Sequence, residues 1–166
     1  MKRLLINRGF DDELLEIVID FLSSIGPDEP YEIYLNSSGG LEVIAQCLKE
    51  LLDGDERATL VGYSEVSSAA LFLLLTVKCK KRIVSGTIGV FHLPYIKNQE
   101  LNMDLSPRDI HESFSSYLGS DLTYEATKIM KGYLTKKQFK GVKRYKDIWL
   151  SHKQIEEILK KNQKKV

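Results

Sequence analysis

Ser64–Ala70, SEVSSAA, decides how this chain is read, because it stands between two apolar runs, Ala58–Tyr63 (ATLVGY) and Leu71–Leu75 (LFLLL). The first run reads as a strand and the second as a mostly apolar helix ending near Thr76. Three serines and one carboxylate interrupt what is otherwise continuous core. One of the serines is a nucleophile, or together they form only the polar start of a buried helix.

A second turn of the same kind lies upstream. Ser37-Ser38-Gly39-Gly40 joins Tyr31–Asn36 (YEIYLN), which alternates roughly as a strand does, to LEVIAQCLKELL, where Leu41, Ile44, Leu48 and Leu51 share a helical face. Gly54 closes that helix. Ahead of it, Arg3–Asn7 reads as a first strand, and FDDELLEIVIDFLSS as a helix with Asp11, Asp12 and Glu13 at its N-terminal dipole. Gly26-Pro27 ends that helix. Beyond the serine-rich stretch, Arg82–Val84 and Ile88–Phe91 are two more short strands, and Pro94–Ser106 is a loop or irregular hairpin. Ser106-Pro107 opens a helix, with Ser as cap and Pro at the first position, and helical pattern continues to about Lys131 with Gly119 as a break. Thr135 starts another short helix. Ser151 caps the last, whose apolar face uses Ile155 and Ile158. No internal repeat or linker is visible, so residues 1–166 are expected to form one α/β domain with a helical C-terminal part.

Composition bounds the class. The chain has 166 residues, 43% hydrophobic and 28% charged, which is enough apolar material for one core and argues against disorder. The longest apolar run, Ala69–Leu75, is too short to span a bilayer. The N-terminus reaches Asn7 and Arg8 before a secretory apolar region forms, so a cytoplasmic location is expected. Cys47 and Cys79 show neither disulfide nor metal-ligand spacing, and with three histidines and no CxxC no metal is expected. The net charge of +1 conceals an uneven distribution. Residues 128–166 hold 13 of the 24 lysines and arginines but only three acids, leaving 11 basic and 20 acidic residues before them. A basic end attracts nucleic acid or an acidic partner, but lysine-rich amphipathic helices are more often simply solvated.

The turns at 37–40 and 64–68 each join the carboxyl end of a strand to a helix. Right-handed crossovers between parallel strands put such turns on one sheet edge, where ligands bind. Helix starts offer unspent backbone N–H groups, and Gly39-Gly40 lets a substrate oxygen come close to the backbone. A further strand, IGVFH, ends in His92 and is expected to bring an imidazole to the same edge. A hydroxyl, a base and oxyanion-binding amides are the parts of acyl transfer. Losing one oxyanion donor costs on the order of 3 kcal/mol, so such a glycine turn carries weight. Each feature also has an ordinary meaning: turn chemistry, a helix cap, a strand-end histidine.

Taken together these segments resemble the ClpP-type serine peptidases. YLNSSGG (Tyr34–Gly40) is similar to the family's YINSPGG, GYSEVSSAALF (Gly62–Phe72) to its nucleophile segment GQAASMGAFLL, and VFHLP (Val90–Pro94) to its histidine segment MIHQP. The family's Ser-to-His spacing is met without a gap by Ser67, 25 positions before His92, and not by Ser64 or Ser68. Its acid segment resembles YKDIWLSHKQ, which gives Asp147, with Asp104 and Asp109 as fallback acids. The resemblance thus implies Ser67 as nucleophile, His92 as base and acid, Asp147 holding the imidazole, and the N–H groups of Gly40 and Ser68 as oxyanion donors. It implies a ClpP/crotonase-like fold of repeated β-β-α units, with a helical handle at about 95–135 and C-terminal helices. It also implies peptide or unfolded-protein substrates, a homo-oligomeric ring enclosing a chamber, and no cofactor. Departures are Ala69 and Ser38 where the family has Gly and Pro, and KGVKRYK where it has a ring-linking Asp-Arg pair. No N-terminal axial segment is recognised, which argues against an AAA+ unfoldase partner. Two other readings are a catalytically silent ring subunit and an acyl-CoA enzyme of the crotonase type; the latter has no need of Ser67 and His92 at this spacing. Nucleotide binding at SSGG is poorer, because no GK[ST] follows.

Overall fold

The computed structural model describes residues 1–92, 97–98, 103–104, 121–142 and 146–163. The expected helix start at Ser106-Pro107, the Gly119 break, Asp109 and most of the 95–135 handle lie outside these residues.

The chain runs β1 (Lys2–Asn7), α1 (Asp12–Ser23), β2 (Tyr31–Ser37), α2 (Glu42–Leu52), β3 (Ala58–Ser67), α3 (Ala69–Thr76), β4 (Lys80–Ile83) and β5 (Ile88–Phe91). A short antiparallel hairpin, β6 (Lys97–Asn98) and β7 (Met103–Asp104), follows, then α4 (Asp121–Lys131), α5 (Lys136–Val142), β8 (Ile148–Ser151) and α6 (His152–Gln163). One six-stranded sheet runs in the order β1-β2-β3-β5-β8, with β4 also paired to β3. Strands β1 to β5 pair in parallel, and β8 closes the far side antiparallel to β5. This is the α/β class expected, with the handedness of parallel crossovers placing successive turns at one end.

Strand β3 does two jobs in series. Thr59–Gly62 pair with β4, and Glu65–Ser67 pair with β5. Between them the register against β2 slips: Leu35 faces Gly62, but Ser37 faces Val66. The extra residues form a bulge in which Ser64 takes a positive φ of 57°. The Asn36 side chain fills the gap, accepting the Glu65 N–H at 3.0 Å while donating to Asn7 at 2.8 Å. The strand expected to stop at Tyr63 therefore continues to Ser67. SEVS is a bulged strand, not a helix approach, and the turn into α3 is made at Ser68 alone.

Every residue of α3 is buried, which explains its unpatterned apolar run. It packs among β3, α2 and α4, with Phe72 against Phe91 at 5.5 Å between ring centroids. The expected caps are present at the C-terminal end. Thr135 and Gln138, and again Ser151 and Gln154, exchange side-chain and backbone hydrogen bonds as reciprocal capping boxes. Strand β8 has no counterpart in the sequence reading, because four residues after a lysine-rich stretch carry no readable period.

At the opposite end of β2, Asp55 accepts from Arg57 (2.8 Å) and from the buried Tyr31 hydroxyl (2.8 Å). The Arg57 hydrogen bond lowers the Asp55 pKa to about 2, despite partial burial. A folded-state pKa below the unfolded value stabilises the fold above pH 4 and loses that contribution as pH falls through the folded value. Urea denaturation between pH 4 and 2 is expected to show a stability loss on the order of 2 kcal/mol from this group. Asp55→Asn removes that part of the slope while lowering stability at neutral pH.

Candidate functional site

The two serine-rich turns meet at the carboxyl end of the parallel strands. Gly39 has φ +99°, and a Cβ built on it would lie 2.6 Å from the Ser68 Cβ, 2.9 Å from the Ser67 carbonyl oxygen and 3.0 Å from the Ala69 nitrogen. The glycine is required by both conformation and space. Gly40 (φ +142°) lies against the Phe10 backbone in a bridge that uses the Gly39 carbonyl and the Leu41 N–H. That bridge does not use the N–H of Gly40, which is exposed.

A cleft of about 350 Å³ opens here, lined by Ser38, Gly40, Glu42, Ser68, Phe72 and His92, together with Ala69. The N-termini of α2 and α3 both begin at it, so two positive dipole ends face one volume.

The residues expected from sequence are placed differently from one another. His92 follows β5 directly and lines the cleft, half-buried. Ser67 is the last residue of β3 and is not among the residues lining the cleft. It is 4% exposed, and its Oγ is sealed from solvent without a hydrogen-bond partner among the described residues. Ser68 is half-buried and lines the cleft. Its backbone, φ 53° and ψ −128°, is a conformation an L-residue adopts only at a cost on the order of 1–3 kcal/mol, as a serine held at a sharp strand-to-helix turn does. The Ser68 N–H, expected to hold an oxyanion, instead donates to the Val90 carbonyl at 2.9 Å. The first N–H of α3, that of Ala69, has no such partner among the described residues, because the helix ladder starts with Phe72 donating to Ser68. The cleft is thus lined by Ser68 and not by Ser67, and at the start of α3 it is the Ser68 N–H, not that of Ala69, that is spent on a backbone carbonyl.

Asp147 is exposed just ahead of β8. Phe91 pairs with Ile148 across the antiparallel ladder, so one further step in register sets position 92 opposite position 147. Neither serine hydroxyl is hydrogen bonded to His92, and neither is the Asp147 carboxylate; His92 is engaged by another group of the protein. Among the described residues, no hydrogen-bonded chain links a serine hydroxyl, His92 and Asp147. Asp104 lies in the β7 hairpin. Among the described residues no cluster of histidine, cysteine or carboxylate side chains has metal-ligand geometry. Sequence reasoning does not single out Glu42, which lines the cleft from the first turn of α2.

The fold is that of the ClpP-type peptidases. A solved structure it resembles is that of a point mutant of ClpP1 from Listeria monocytogenes, with a TM-score of 0.61, 22% sequence identity, and coverage of 94% of this chain and 86% of that one. No protein-family model matches the chain, and no curated protein sequence matches it. Among the described residues no helix is long and apolar enough to cross a membrane.

Gly39→Ala is expected to destabilise the protein by about 2–4 kcal/mol, from left-handed backbone strain plus the collision with the Ser68 turn. Gly54→Ala is the control, because Gly54 also has a positive φ (79°) but open space around it. It is expected to cost only about 1–2 kcal/mol in the same urea titration.

Proposed function

We propose that this chain is a serine peptidase of the ClpP type in which Ser68 is the nucleophile. The observation that carries this reading is the elbow at Ser68. A strained serine sits at the junction of β3 and α3, lines a cleft with His92, and is flanked by two backbone N–H groups left unspent among the described residues.

In this mechanism the Ser68 Oγ attacks the peptide carbonyl, and His92 takes the hydroxyl proton and passes it to the leaving amine. The Gly40 and Ala69 amides hold the oxyanion. A water molecule, activated by the same imidazole, then hydrolyses the acyl-enzyme. Asp147 is the acid that orients the imidazole, a role supported by its place opposite His92 in the strand register. Catalytic hydrogen bonds of this kind are often long or poorly aligned until substrate is bound. Substrates are peptides or unfolded polypeptide, reached inside a homo-oligomeric ring in the cytoplasm. No cofactor is needed for this chemistry.

A second reading, a catalytically silent ring subunit, is favoured by the sealed, unpartnered Ser67 hydroxyl and by the lack, among the described residues, of a hydrogen bond between Ser68 and His92 or between His92 and Asp147. Hydrolysis of a fluorogenic peptide mixture by the purified protein separates the two. Ser68→Ala and His92→Ala are each expected to lower kcat/KM by roughly 10³-fold or more, whereas Ser67→Ala is expected to lower it by less than about tenfold. Equal loss in Ser67→Ala and retention in Ser68→Ala would return the nucleophile to Ser67. Turnover absent from the folded wild-type protein in every oligomeric state would favour the silent subunit.

A further inference from the structure

We propose that Glu42 makes this cleft selective for a cationic side chain, lysine or arginine, on the residue whose carbonyl is attacked. The proposal rests on the peptidase reading and names the substrate class of the same site.

Glu42 is the first residue of α2, two positions after Gly40, and its half-buried side chain lines the cleft with Ser68 and His92. A carbonyl placed between the Ser68 Oγ and the Gly40 and Ala69 amides belongs to a residue whose own side chain shares this cleft with Glu42. The cleft, about 350 Å³, is the size of a small ligand site. Its apolar lining is Phe72 and Ala69, which suit an aliphatic stem, and its described lining includes neither lysine nor arginine. The carboxylate of Glu42 is the only acid among the described lining residues. An apolar stem with a terminal positive charge therefore suits both the apolar and the acidic part of the lining, as long basic side chains do elsewhere. A substrate carboxylate would meet a like charge in a partly desolvated place.

Glu42 already engages another group of the protein. A carboxylate has two oxygens and about four acceptor positions, so that contact leaves capacity for a substrate ammonium or guanidinium. Glu42 also suits the dipole of α2 as a first-turn acid. A role confined to the helix would alter stability and leave substrate choice unmoved.

The experiment compares peptides that differ only in the residue supplying the scissile carbonyl: Lys, Leu or Glu. Wild-type kcat/KM is expected to favour Lys over Glu by on the order of tenfold or more. Glu42→Gln, which keeps the shape, is expected to bring that ratio close to one, and Glu42→Lys to invert it, each variant first shown to melt cooperatively. A ratio unchanged in Glu42→Gln, or a wild-type protein indifferent to charge, overturns the proposal and leaves the peptidase reading standing. If no peptide is hydrolysed, the peptidase reading fails. Binding of the same fluorescent peptides to the Ser68→Ala protein, read by anisotropy, then decides the charge selectivity alone. Tighter binding of the Lys peptide that is lost on adding Glu42→Gln sustains the cation site, and equal binding of Lys and Glu peptides overturns it.

Discussion

The contact of Gly39 with the Ser68 turn is the constraint on which the rest of this structure depends. The two turns close strands that are neighbours in the sheet, and only a residue without a Cβ fits at position 39. That fit brings the Gly40 and Ala69 amides to the same cleft and presses on the one serine at the site whose backbone is already strained. Strain of this kind persists only where the surroundings over-determine it. Here they do so from three sides. The Gly39 turn lies on one, the Val90 carbonyl takes the Ser68 N–H on another, and the wholly buried α3 fixes the chain beyond.

The bulge in β3 sets the stage for that contact. By adding residues between its two pairing segments, β3 leaves β4 and reaches across to β5, the strand that delivers His92. Asn36 braces the bulge from β2, and Asn7, which takes hydrogen bonds from both Asn36 and Tyr63, ties it to β1. The antiparallel partner of β5, strand β8, brings Asp147 to the same sheet end from the far side. Backbone pairing across four strands thus brings these segments to one end of the sheet.

Much of this is legible in the sequence, and the misses have physical causes. The alternation of strand and helix through the first half points to the α/β class, and the two strand–turn–helix junctions locate the site. The choice of Ser67 from sequence rests on the count of 25 residues from Ser67 to His92. That count runs through Val84–Thr87, a turn between β4 and β5 with Gly86 at φ +87° and open space where its Cβ would be. A turn of this sort changes length by one residue without disturbing either strand, so spacing across it does not discriminate adjacent serines. The structure places the two differently: Ser67 ends a strand with its hydroxyl sealed in, and Ser68 makes the turn into α3. Bulged strands such as SEVS lose the two-residue period, and a four-residue strand such as IWLS never shows one.

The most direct test of the account is to react the folded protein with a fluorophosphonate and locate the adduct by fragmentation mass spectrometry. The account predicts a covalent adduct on Ser68 Oγ, with Ser67 unmodified. An adduct on Ser67, or none on either serine in the assembled protein, would contradict it.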